Sequence, residues 1–329
     1  MSLPIIGITM GDPAGIGPEI IVKSLIEDKL YNNFSLLVIG NSNCLEYEIK
    51  KNNLNLNVNI CSSVNDIINN QKIINCLNVG NKINNIKYGI NSDICGKVSY
   101  QYINEAVNLT LTEKIDAICT APISKKALKM AGYNFPGHTE LLAHLTKTKE
   151  VSLMLSTPKL NVIHVTAHIG LLDAIEKINS DLVFRTMERG RNITRKLINK
   201  EPKIGVCAIN PHAGEDGLFG YNEEEIKIIP AINKALKLNW NVTGPLPTDS
   251  LFYQTSLGKF DLIVAMYHDQ GHGPIKVKGI DDGINITVGL PLIRTSVDHG
   301  TAFDIAGKGI AKEKNMQNAI IKAYNLIKS

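Results

Sequence analysis

Residues 5–19 read Ile-Ile-Gly-Ile-Thr-Met-Gly-Asp-Pro-Ala-Gly-Ile-Gly-Pro-Glu, a pattern typical of a strand, a tight turn and a helix in succession. The apolar run 5–9 predicts the strand, and the helix is expected over about 18–27 because Pro18 suits a first helical turn. The glycines of 11–19 allow two interpretations: a backbone that approaches an anion at a helix N-terminus, or a tight turn that needs positive φ. Their spacing is not Gly-x-Gly-x-x-Gly, so a classical dinucleotide fingerprint is not supported.

The same alternation of strand and helix continues along the chain and predicts a parallel-rich α/β fold. Further strands are expected at 35–39 and 117–120, and further helices at 97–111, 124–131, 223–238 and 316–327. The segment 41–91 is rich in asparagine and weakly periodic, and we assign no function to it. At 329 residues the chain is long for one core, so two domains or one large α/β unit are expected.

Composition excludes several classes of function. The net charge is +4 and the lysines are scattered, so no basic stripe predicts nucleic-acid binding. No apolar run reaches the ~18–20 residues that span a bilayer, and the N-terminal residues do not resemble a signal peptide. None of the six cysteines forms a Cys-x-x-Cys pair, and we expect most of them to be small buried residues of a protein in a reducing compartment. We therefore expect a cytoplasmic enzyme or binding protein that contacts neither nucleic acid nor membrane.

Three histidines follow apolar, strand-like runs at 160–165, 204–209 and 262–266. They are His168 in Val-Thr-Ala-His (165–168), His212 in Asn-Pro-His-Ala-Gly-Glu (210–215) and His268 in Tyr-His-Asp-Gln-Gly (267–271). A lone histidine is more often structural, but three that lie just past strand ends can converge, and neutral imidazoles are common ligands of divalent metals. Asp249, in Gly-Pro-Leu-Pro-Thr-Asp-Ser (244–250), could supply a nearby carboxylate. The role of His272 stays open.

Other polar residues are suited to anionic groups. His138 and Thr139, in Phe-Pro-Gly-His-Thr-Glu-Leu-Leu (135–142), could bind a phosphate or carboxylate, although Thr139 could equally cap a helix. Lys276, Asn285 and Arg294 are suited to bind a phosphate and a carboxylate. Alternatively, these residues lie on the solvent-exposed surface and bind no ligand. Arg294 lies in an apolar context, where a charge needs a partner. The loop 298–311, Asp-His-Gly-Thr-Ala-Phe-Asp-Ile-Ala-Gly-Lys-Gly-Ile-Ala, could wrap a nucleotide or be structural.

Taken together, these segments resemble the 4-hydroxythreonine-4-phosphate dehydrogenase family over essentially the whole chain. The segments that carry the resemblance are 11–19, 137–140, 166–168, 210–215, 267–271 and 285–300. The resemblance implies a homodimer with shared active sites and one divalent metal (Zn, Mg, Mn or Co) per subunit. The implied metal ligands are His168, His212 and His268, with one subunit's set completed by the other's. The implied substrate contacts are His138, Thr139, Lys276, Asn285 and Arg294.

That family is in turn similar to the isocitrate and isopropylmalate dehydrogenases, whose adenosine-binding loop resembles residues 299–311. NAD is therefore expected to contact His299, Gly300, Thr301, Asp304 and Gly307. The same likeness implies a two-domain α/β fold with the active site in the cleft between the domains. The first domain would comprise 1–125 plus 280–329 and carry the NAD loop. The second, 126–279, would carry the metal ligands and the dimer interface.

The implied reaction is NAD-dependent oxidation of the C3 hydroxyl of a 4-phosphorylated four-carbon acid, followed by loss of CO2. The metal would serve as a Lewis acid, and proton transfer is assigned to Lys276 or Asp249. The segments His-Val-Thr-Ala-His (164–168) and Gly-His-Gly-Pro-Ile-Lys (271–276) look closer to the branch that oxidises 4-phospho-D-threonate or 4-phospho-D-erythronate to dihydroxyacetone phosphate. The vitamin B6 branch, which acts on 4-phosphooxy-L-threonine and forms 3-amino-2-oxopropyl phosphate, is the alternative. A metal-dependent hydrolase or aldolase, and a non-catalytic binding protein, are more distant ones.

Overall fold

The computed structural model describes residues 3–27, 30, 33–80, 83, 86–279 and 283–328. In this part of the chain, strands and helices alternate as the sequence predicts. The strands are β1 (Ile5–Thr9), β2 (Ser35–Gly40), β3 (Asn57–Cys61), β4 (Ile73–Asn78), β5 (Ala117–Thr120), β6 (Ser152–Ser156), β7 (Asn161–His164), β8 (Ile204–Cys207), β9 (Val242–Leu246), β10 (Leu262–Ala265), β11 (Ile284–Val288) and β12 (Ile293–Val297).

The α-helices are α1 (Gly17–Ser24), α2 (Ser42–Lys51), α3 (Asp93–Leu111), α4 (Lys125–Met130), α5 (His138–Leu145), α6 (Leu171–Lys177), α7 (Ser180–Ile198), α8 (Ile229–Lys237), α9 (Thr248–Ser256), α10 (His268–Gly279) and α11 (Lys314–Lys328). Two of them show why they start where they do. Pro18 lies in the first turn of α1, where its missing N–H costs nothing. Ser124 caps α4 by accepting a hydrogen bond from the Ala127 N–H.

One predicted helix is wrong in detail. The segment 223–238 is not one α-helix, because a π-helical turn over Glu224–Ile228 precedes α8. Pro230, in the first turn of α8, has no N–H to donate to the carbonyl four residues earlier. The regular α-helical hydrogen bonding is therefore interrupted in the turn before Pro230, and it begins again at Ile229.

The first of two compact units comprises Met1–Glu150 and Leu290–Lys328. Its sheet has the order β3-β4-β2-β1-β5-β12, and every pairing within it is parallel. β1 is central and buried, and it pairs with β2 on one side and β5 on the other. Helices α3 and α11 pack on this sheet. The α/β class that the sequence predicts is confirmed.

The second unit comprises Val151–Gly289. Its strand order is β11-β6-β7-β10-β8-β9, with antiparallel pairs at β11/β6 and β6/β7 and parallel pairs from β7 onward. Strand β10 therefore lies between β7 and β8. Because these three strands are parallel, their carboxyl ends meet at one edge of the sheet. The segments of His168, His212 and His268 leave the sheet at that edge.

The unit boundaries differ from the predicted ones at 125/126 and 279/280. Helix α5 contacts α3 and belongs to the first unit, so that unit extends to residue 150. Strand β11 pairs with β6 and belongs to the second unit, so the chain returns to the first unit at residue 290 and not at 280. Residues 280–282 lie outside the described part of the chain.

No helix in the described ranges is both long and apolar enough to cross a lipid bilayer.

Candidate functional site

Hydrogen bonds join the strand ends that carry the three histidines. The Thr166 hydroxyl donates to the carbonyl of Met266 at 2.8 Å, which links the segment after β7 to the segment after β10. Gln270 is buried, accepts a hydrogen bond from the Met266 N–H at 2.6 Å, and donates to the Ala208 carbonyl at 2.6 Å. Its Nε2 also lies 3.0 Å from the Thr248 hydroxyl. Gln270 thus ties the ends of β10 and β8 to the start of α9.

Two of the three predicted metal ligands lie close together. The imidazole rings of His168 and His268 are 5.7 Å apart between centroids. The ring of His212 instead lies 6.2 Å from that of Phe219. Among the described residues of this one chain, no three His, Cys, Asp or Glu side chains converge closely enough to hold a metal ion. One copy of the chain therefore brings His168 to His268 but does not add His212 to them.

His268 is held in a defined hydrogen-bonding state. Its Nδ1 lies 2.7 Å from Asp269 Oδ1, and because a carboxylate only accepts, Nδ1 carries the hydrogen. In the neutral imidazole the lone pair is then on Nε2. A carboxylate that orients a histidine through one nitrogen while the other faces a metal is a recurring arrangement. The donor chemistry of His268 and His168 therefore fits a divalent metal.

The segment that carries His212 has unusual backbone geometry. Residues 212–217 all have positive φ, between 43° and 89°, and four of them are not glycine. Two acidic residues of the π-helical turn region hold the segment from one side. Glu224 Oε1 accepts hydrogen bonds from the N–H groups of Ile209 and Asn210 at 2.8 and 2.7 Å, and Asn210 Nδ2 donates to Glu224 Oε2 at 2.9 Å and to Glu223 Oε2 at 2.8 Å. The sequence analysis did not identify Glu223 and Glu224 as residues of the site. The run of three consecutive glutamates at 223–225 was the only pattern in the sequence that marked them.

The remaining predicted residues of the second unit differ in their surroundings. Asn285 lies on β11, and its buried Oδ1 has no hydrogen-bond partner among the described residues. Lys276 is half-buried on α10, four residues after His272 and eight after His268. Asp249 is exposed in the first turn of α9 and accepts a hydrogen bond from the Ser250 N–H at 2.8 Å.

In the first unit, the charge of buried Arg294 acts on half-buried His138. Arg294 on β12 is 2% exposed, and its Nη2 donates to the Thr120 hydroxyl at 2.7 Å. Burial lowers the pKa of Arg294 to about 10, although nearby Cys119 and Glu140 oppose the change. Burial, together with the charge of Arg294, also holds the pKa of His138 well below its ordinary value. His138 is therefore neutral, and its buried Nε2 finds no hydrogen-bond partner in the described part of the chain.

Thr139 does not cap the helix at which it lies. The N-cap position of α5 is Gly137, and no side chain bonds to the helix start there. Thr139 is the second residue of the helix and is half-buried. The alternative capping role for Thr139 is therefore wrong, because the helix begins at His138, two residues earlier than a cap at Thr139 requires.

The predicted NAD loop packs on the first strand-turn-helix segment. The Thr301 carbonyl accepts a hydrogen bond from the Ile16 N–H at 3.0 Å, and a Cβ on Gly15 would lie 3.0 Å from Thr301 Cβ. Gly307 has φ +73°, and a Cβ there would lie 2.7 Å from the ring of Tyr88. His299 is half-buried, whereas Gly300 and Asp304 are exposed. Gly15 thus permits the close approach of this loop, whereas Gly11, with φ +72°, fits the interpretation as a tight turn that needs positive φ.

Asp12 is the buried acid of that same turn. Its Oδ1 accepts a hydrogen bond from the Ala14 N–H at 2.9 Å. Burial raises the pKa of Asp12 to about 6, although this hydrogen bond and the Cys95 thiol oppose the change. A carboxyl with such a pKa is partly protonated in weakly acidic solution.

Comparison with known proteins gives matches along almost the whole chain. A family model described as pyridoxal phosphate biosynthetic protein PdxA matches residues 32–323. The chain is 55% identical to the D-threonate 4-phosphate dehydrogenase of Cupriavidus necator over 98% of this chain and 97% of that one. A solved structure of a 4-hydroxythreonine-4-phosphate dehydrogenase from Burkholderia phymatum is 52% identical, with a TM-score of 0.87 and 99% of each chain covered. A Klebsiella pneumoniae enzyme of that name is 40% identical, with a TM-score of 0.88 over 98% of this chain and 99% of that one.

Proposed function

Because this chain belongs to the PdxA family, we propose that it is an NAD-dependent and metal-dependent dehydrogenase of 4-phospho-D-threonate or 4-phospho-D-erythronate. Its product would be dihydroxyacetone phosphate, formed by oxidation at C3 and loss of CO2. The preference for this branch is supported by the relatives named D-threonate 4-phosphate dehydrogenase, which are up to 55% identical to the chain.

The observation that carries the proposal is the buried guanidinium of Arg294 near the buried Nε2 of His138. A guanidinium that is 2% exposed, beside an imidazole nitrogen without a described partner, forms a set of polar groups that an anionic ligand would complete. An unmet hydrogen bond of a buried polar group costs about 1–3 kcal/mol, and an oxygen of a bound phosphate or carboxylate would offset it. Arg294 supplies the charge, and Thr139 on the first turn of α5 would add a hydroxyl donor.

We also propose that Lys276 and Asn285 contact the substrate. The buried Oδ1 of Asn285 is an acceptor and suits a hydroxyl group rather than a phosphate. Lys276 repeats the spacing of four residues from His268 through His272, so it faces the same side of α10 as both histidines. Of the two candidates for proton transfer we favour Lys276 Nζ, because Asp249 is exposed and already bonded at its own helix start.

When bound, NAD would accept the hydride and the divalent metal would draw electron density from the reacting oxygen. The residues proposed to contact NAD are His299, Gly300, Thr301, Asp304 and Gly307. The residues proposed to hold the metal are His168, His212 and His268. Fixing the anionic ends of the substrate would orient its C3 hydroxyl, which is the main contribution that the protein's own side chains make.

We further propose that a second copy of the chain completes the metal site. His212 does not join the His168–His268 pair within one chain. Large apolar side chains are exposed next to these segments, with Leu172 81% and Tyr221 87% exposed. Exposed apolar surface of this kind is typical of a protein interface.

Mixing two inactive variants tests the shared site. We expect His168→Ala and His212→Ala to be inactive alone, and activity to return when the two are unfolded together and refolded. In the mixed dimer one site would carry both substitutions and the other neither, so up to half of the mixed dimers' sites would be intact. No recovery, with mixed dimers demonstrated by two affinity tags, would contradict a site that is shared in this way.

A substrate panel tests the reaction itself. Purified protein with NAD and added divalent metal is given 4-phospho-D-threonate, 4-phospho-D-erythronate or 4-phosphooxy-L-threonine, and NADH absorbance is followed. The names of the two solved structures favour the last compound as a second candidate. Turnover of that compound alone would overturn the preferred branch. No NADH with any of the three would contradict a dehydrogenase and reopen the hydrolase or aldolase alternative.

A further inference from the structure

Two histidines that the proposed mechanism does not use are in direct contact. His164 is the last residue of β7 and His272 lies on α10, 108 residues later. Nε2 of His164 is 3.1 Å from Nδ1 of His272, and the two ring centroids are 4.6 Å apart. Each lies in one of the two segments that favoured the phosphothreonate branch. The structure therefore joins two separate sequence features into one pair.

The carbonyl groups next to His164 and His272 determine which ring nitrogens of this pair carry a hydrogen. Nδ1 of His164 lies 3.2 Å from the carbonyl oxygen of Leu153, and because a carbonyl only accepts, this Nδ1 must carry a hydrogen. A second hydrogen on Nε2 would give the ring of His164 a positive charge, which burial at 2% exposure disfavours, so this Nε2 is an acceptor. The hydrogen between the two rings must then come from Nδ1 of His272. The carbonyl of His268, 3.3 Å from the same Nδ1, requires a hydrogen there as well.

We infer that His164 is a positioning residue that fixes His272 in the tautomer with its hydrogen on Nδ1 and its lone pair on Nε2. His268 has the same tautomer through Asp269. The rings of His268 and His272 are stacked, with centroids 3.7 Å apart and planes inclined by 15°. One turn of α10 thus presents two parallel imidazoles whose Nε2 atoms are both acceptors.

The packing around His164 leaves little freedom for another arrangement. A Cβ on Gly271 would lie 2.2 Å from Nε2 of His164 and 2.9 Å from Cγ1 of Val162. Only glycine at this position lets the first turn of α10 approach the ring so closely. The side chain of His164 is 2% exposed, so solvent does not compete for its nitrogens.

The acceptor at His272 suits a hydroxyl group, and here the inference rests on the proposed function. A phosphorylated hydroxy acid carries hydroxyl donors beside its reacting carbon, and His272 lies against the predicted metal ligand His268. We assign to His272 Nε2 the binding of one such hydroxyl. Loss of the correct tautomer would then raise KM for the phosphorylated acid by about fivefold, since one hydrogen bond contributes ~1 kcal/mol.

Nitrogen NMR tests the tautomer without any catalysis. In the purified protein labelled with 15N-histidine, at alkaline pH, we expect His272 to show a protonated Nδ1 and an unprotonated Nε2. His164→Leu removes the shorter of two contacts of His272 Nδ1, at 3.1 Å against 3.3 Å for the His268 carbonyl, so the tautomer with its hydrogen on Nε2 should become more populated. His164→Gln, whose Oε1 can still accept, should preserve the original tautomer. His144→Gln, which removes an exposed histidine outside this cluster, should leave the His272 signals unchanged.

A second variant covers the case in which His164→Leu does not fold. Gly271→Ala leaves every hydrogen-bonding group in place but displaces the ring of His164, and it should also disturb the tautomer of His272. A hydrogen on Nε2 of His272 in the unsubstituted protein, or an unchanged tautomer in both variants, would overturn the inference. An unchanged KM in His272→Leu would overturn the hydroxyl assignment. Failure of every phosphorylated acid to turn over would contradict the proposed function and leave the NMR result intact.

Discussion

The carboxylate of Glu224 receives the backbone N–H of Asn210 at 2.7 Å and the side-chain amide of the same residue at 2.9 Å. Glu224 is 1% exposed, so both bonds form away from water. Hydrogen bonds to a buried charged group are stronger than neutral ones. The start of the His212 segment is therefore fixed by a residue that lies fourteen positions beyond it.

Substitution of Glu224 should weaken this anchor. Glu224→Gln keeps the volume but turns an amide toward Asn210 Nδ2, so two donors would face each other. We expect the free energy of unfolding to fall by about 1.5–3 kcal/mol in urea denaturation, because a hydrogen bond to a charged group is lost. Glu225→Gln, an exposed neighbour on the same turn, is the control and should be neutral. Equal effects of the two substitutions would contradict the anchoring role.

Gln270 should be equally sensitive. Gln270→Leu leaves the Met266 N–H and the Ala208 carbonyl without the partner that each has in the folded chain. We expect a loss of about 2–4 kcal/mol in the free energy of unfolding, since each unmet buried group costs ~1–3 kcal/mol. Gln254→Leu, which removes the Oε1 that accepts a hydrogen bond from exposed Lys259, serves as the control and should change stability little. A tolerated Gln270→Leu would mean that the strand ends do not depend on this amide.

The buried Asp12 predicts a dependence of stability on pH. Its pKa is raised from 3.8 to about 6, so between these values the folded chain holds a proton that the unfolded chain has released. The contribution of Asp12 therefore favours folding at low pH and is lost as pH rises through about 6. This rise in the pKa of Asp12 corresponds to ~3 kcal/mol in the free energy of unfolding.

Asp12→Asn removes this titration while it keeps an oxygen for the Ala14 N–H. We expect the variant to be more stable than the parent by about 1–3 kcal/mol above pH 7, and the difference to shrink toward zero near pH 4. Urea denaturation of both proteins at a series of pH values measures this. A difference that is constant with pH would show that the Asp12 carboxyl is not the cause.

The close approach of Gly15 to Thr301 predicts an effect on NAD. Gly15→Ala would place a methyl group 3.0 Å from Thr301 Cβ and from its carbonyl oxygen, so the loop 299–311 must shift. We expect the dissociation constant for NADH, measured by fluorescence titration, to rise by about tenfold, because overpacking costs ~1–3 kcal/mol. Gly273→Ala adds the same methyl group where no atom lies within 4 Å, and it should leave NADH binding unchanged.

The positions of the strands could be predicted well from the sequence. The strands at 5–9 and 117–120 and those before the three histidines are found where apolar runs meet polar turns, because buried parallel strands consist of such runs. The α/β class follows from the same alternation. The predicted helix at 97–111 begins instead at Asp93, because Ser92 supplies a cap that periodicity does not detect.

Contacts between distant segments could not be predicted in this way. The bond between His164 and His272 depends on β7 lying beside β10, and neither segment specifies that neighbour. The unit boundaries differ for the same reason, since β11 is assigned to its unit by pairing with β6. The role of Glu224 depends on the π-helical turn that places its carboxylate under Asn210, and a single proline was the only local sign of that turn.

The left-handed run at 212–217 restricts which residues evolution can place there. A left-handed conformation costs roughly 1–2 kcal/mol for each residue other than glycine, and β-branched side chains tolerate it least. Valine, isoleucine and threonine should therefore be absent from Ala213, Glu215 and Asp216 in functional variants, whatever the substrate. When a library randomised at these three positions is selected for function, we expect mainly glycine, asparagine and aspartate. The sequence of this loop would therefore vary among few residue types, while the sequence around it varies freely.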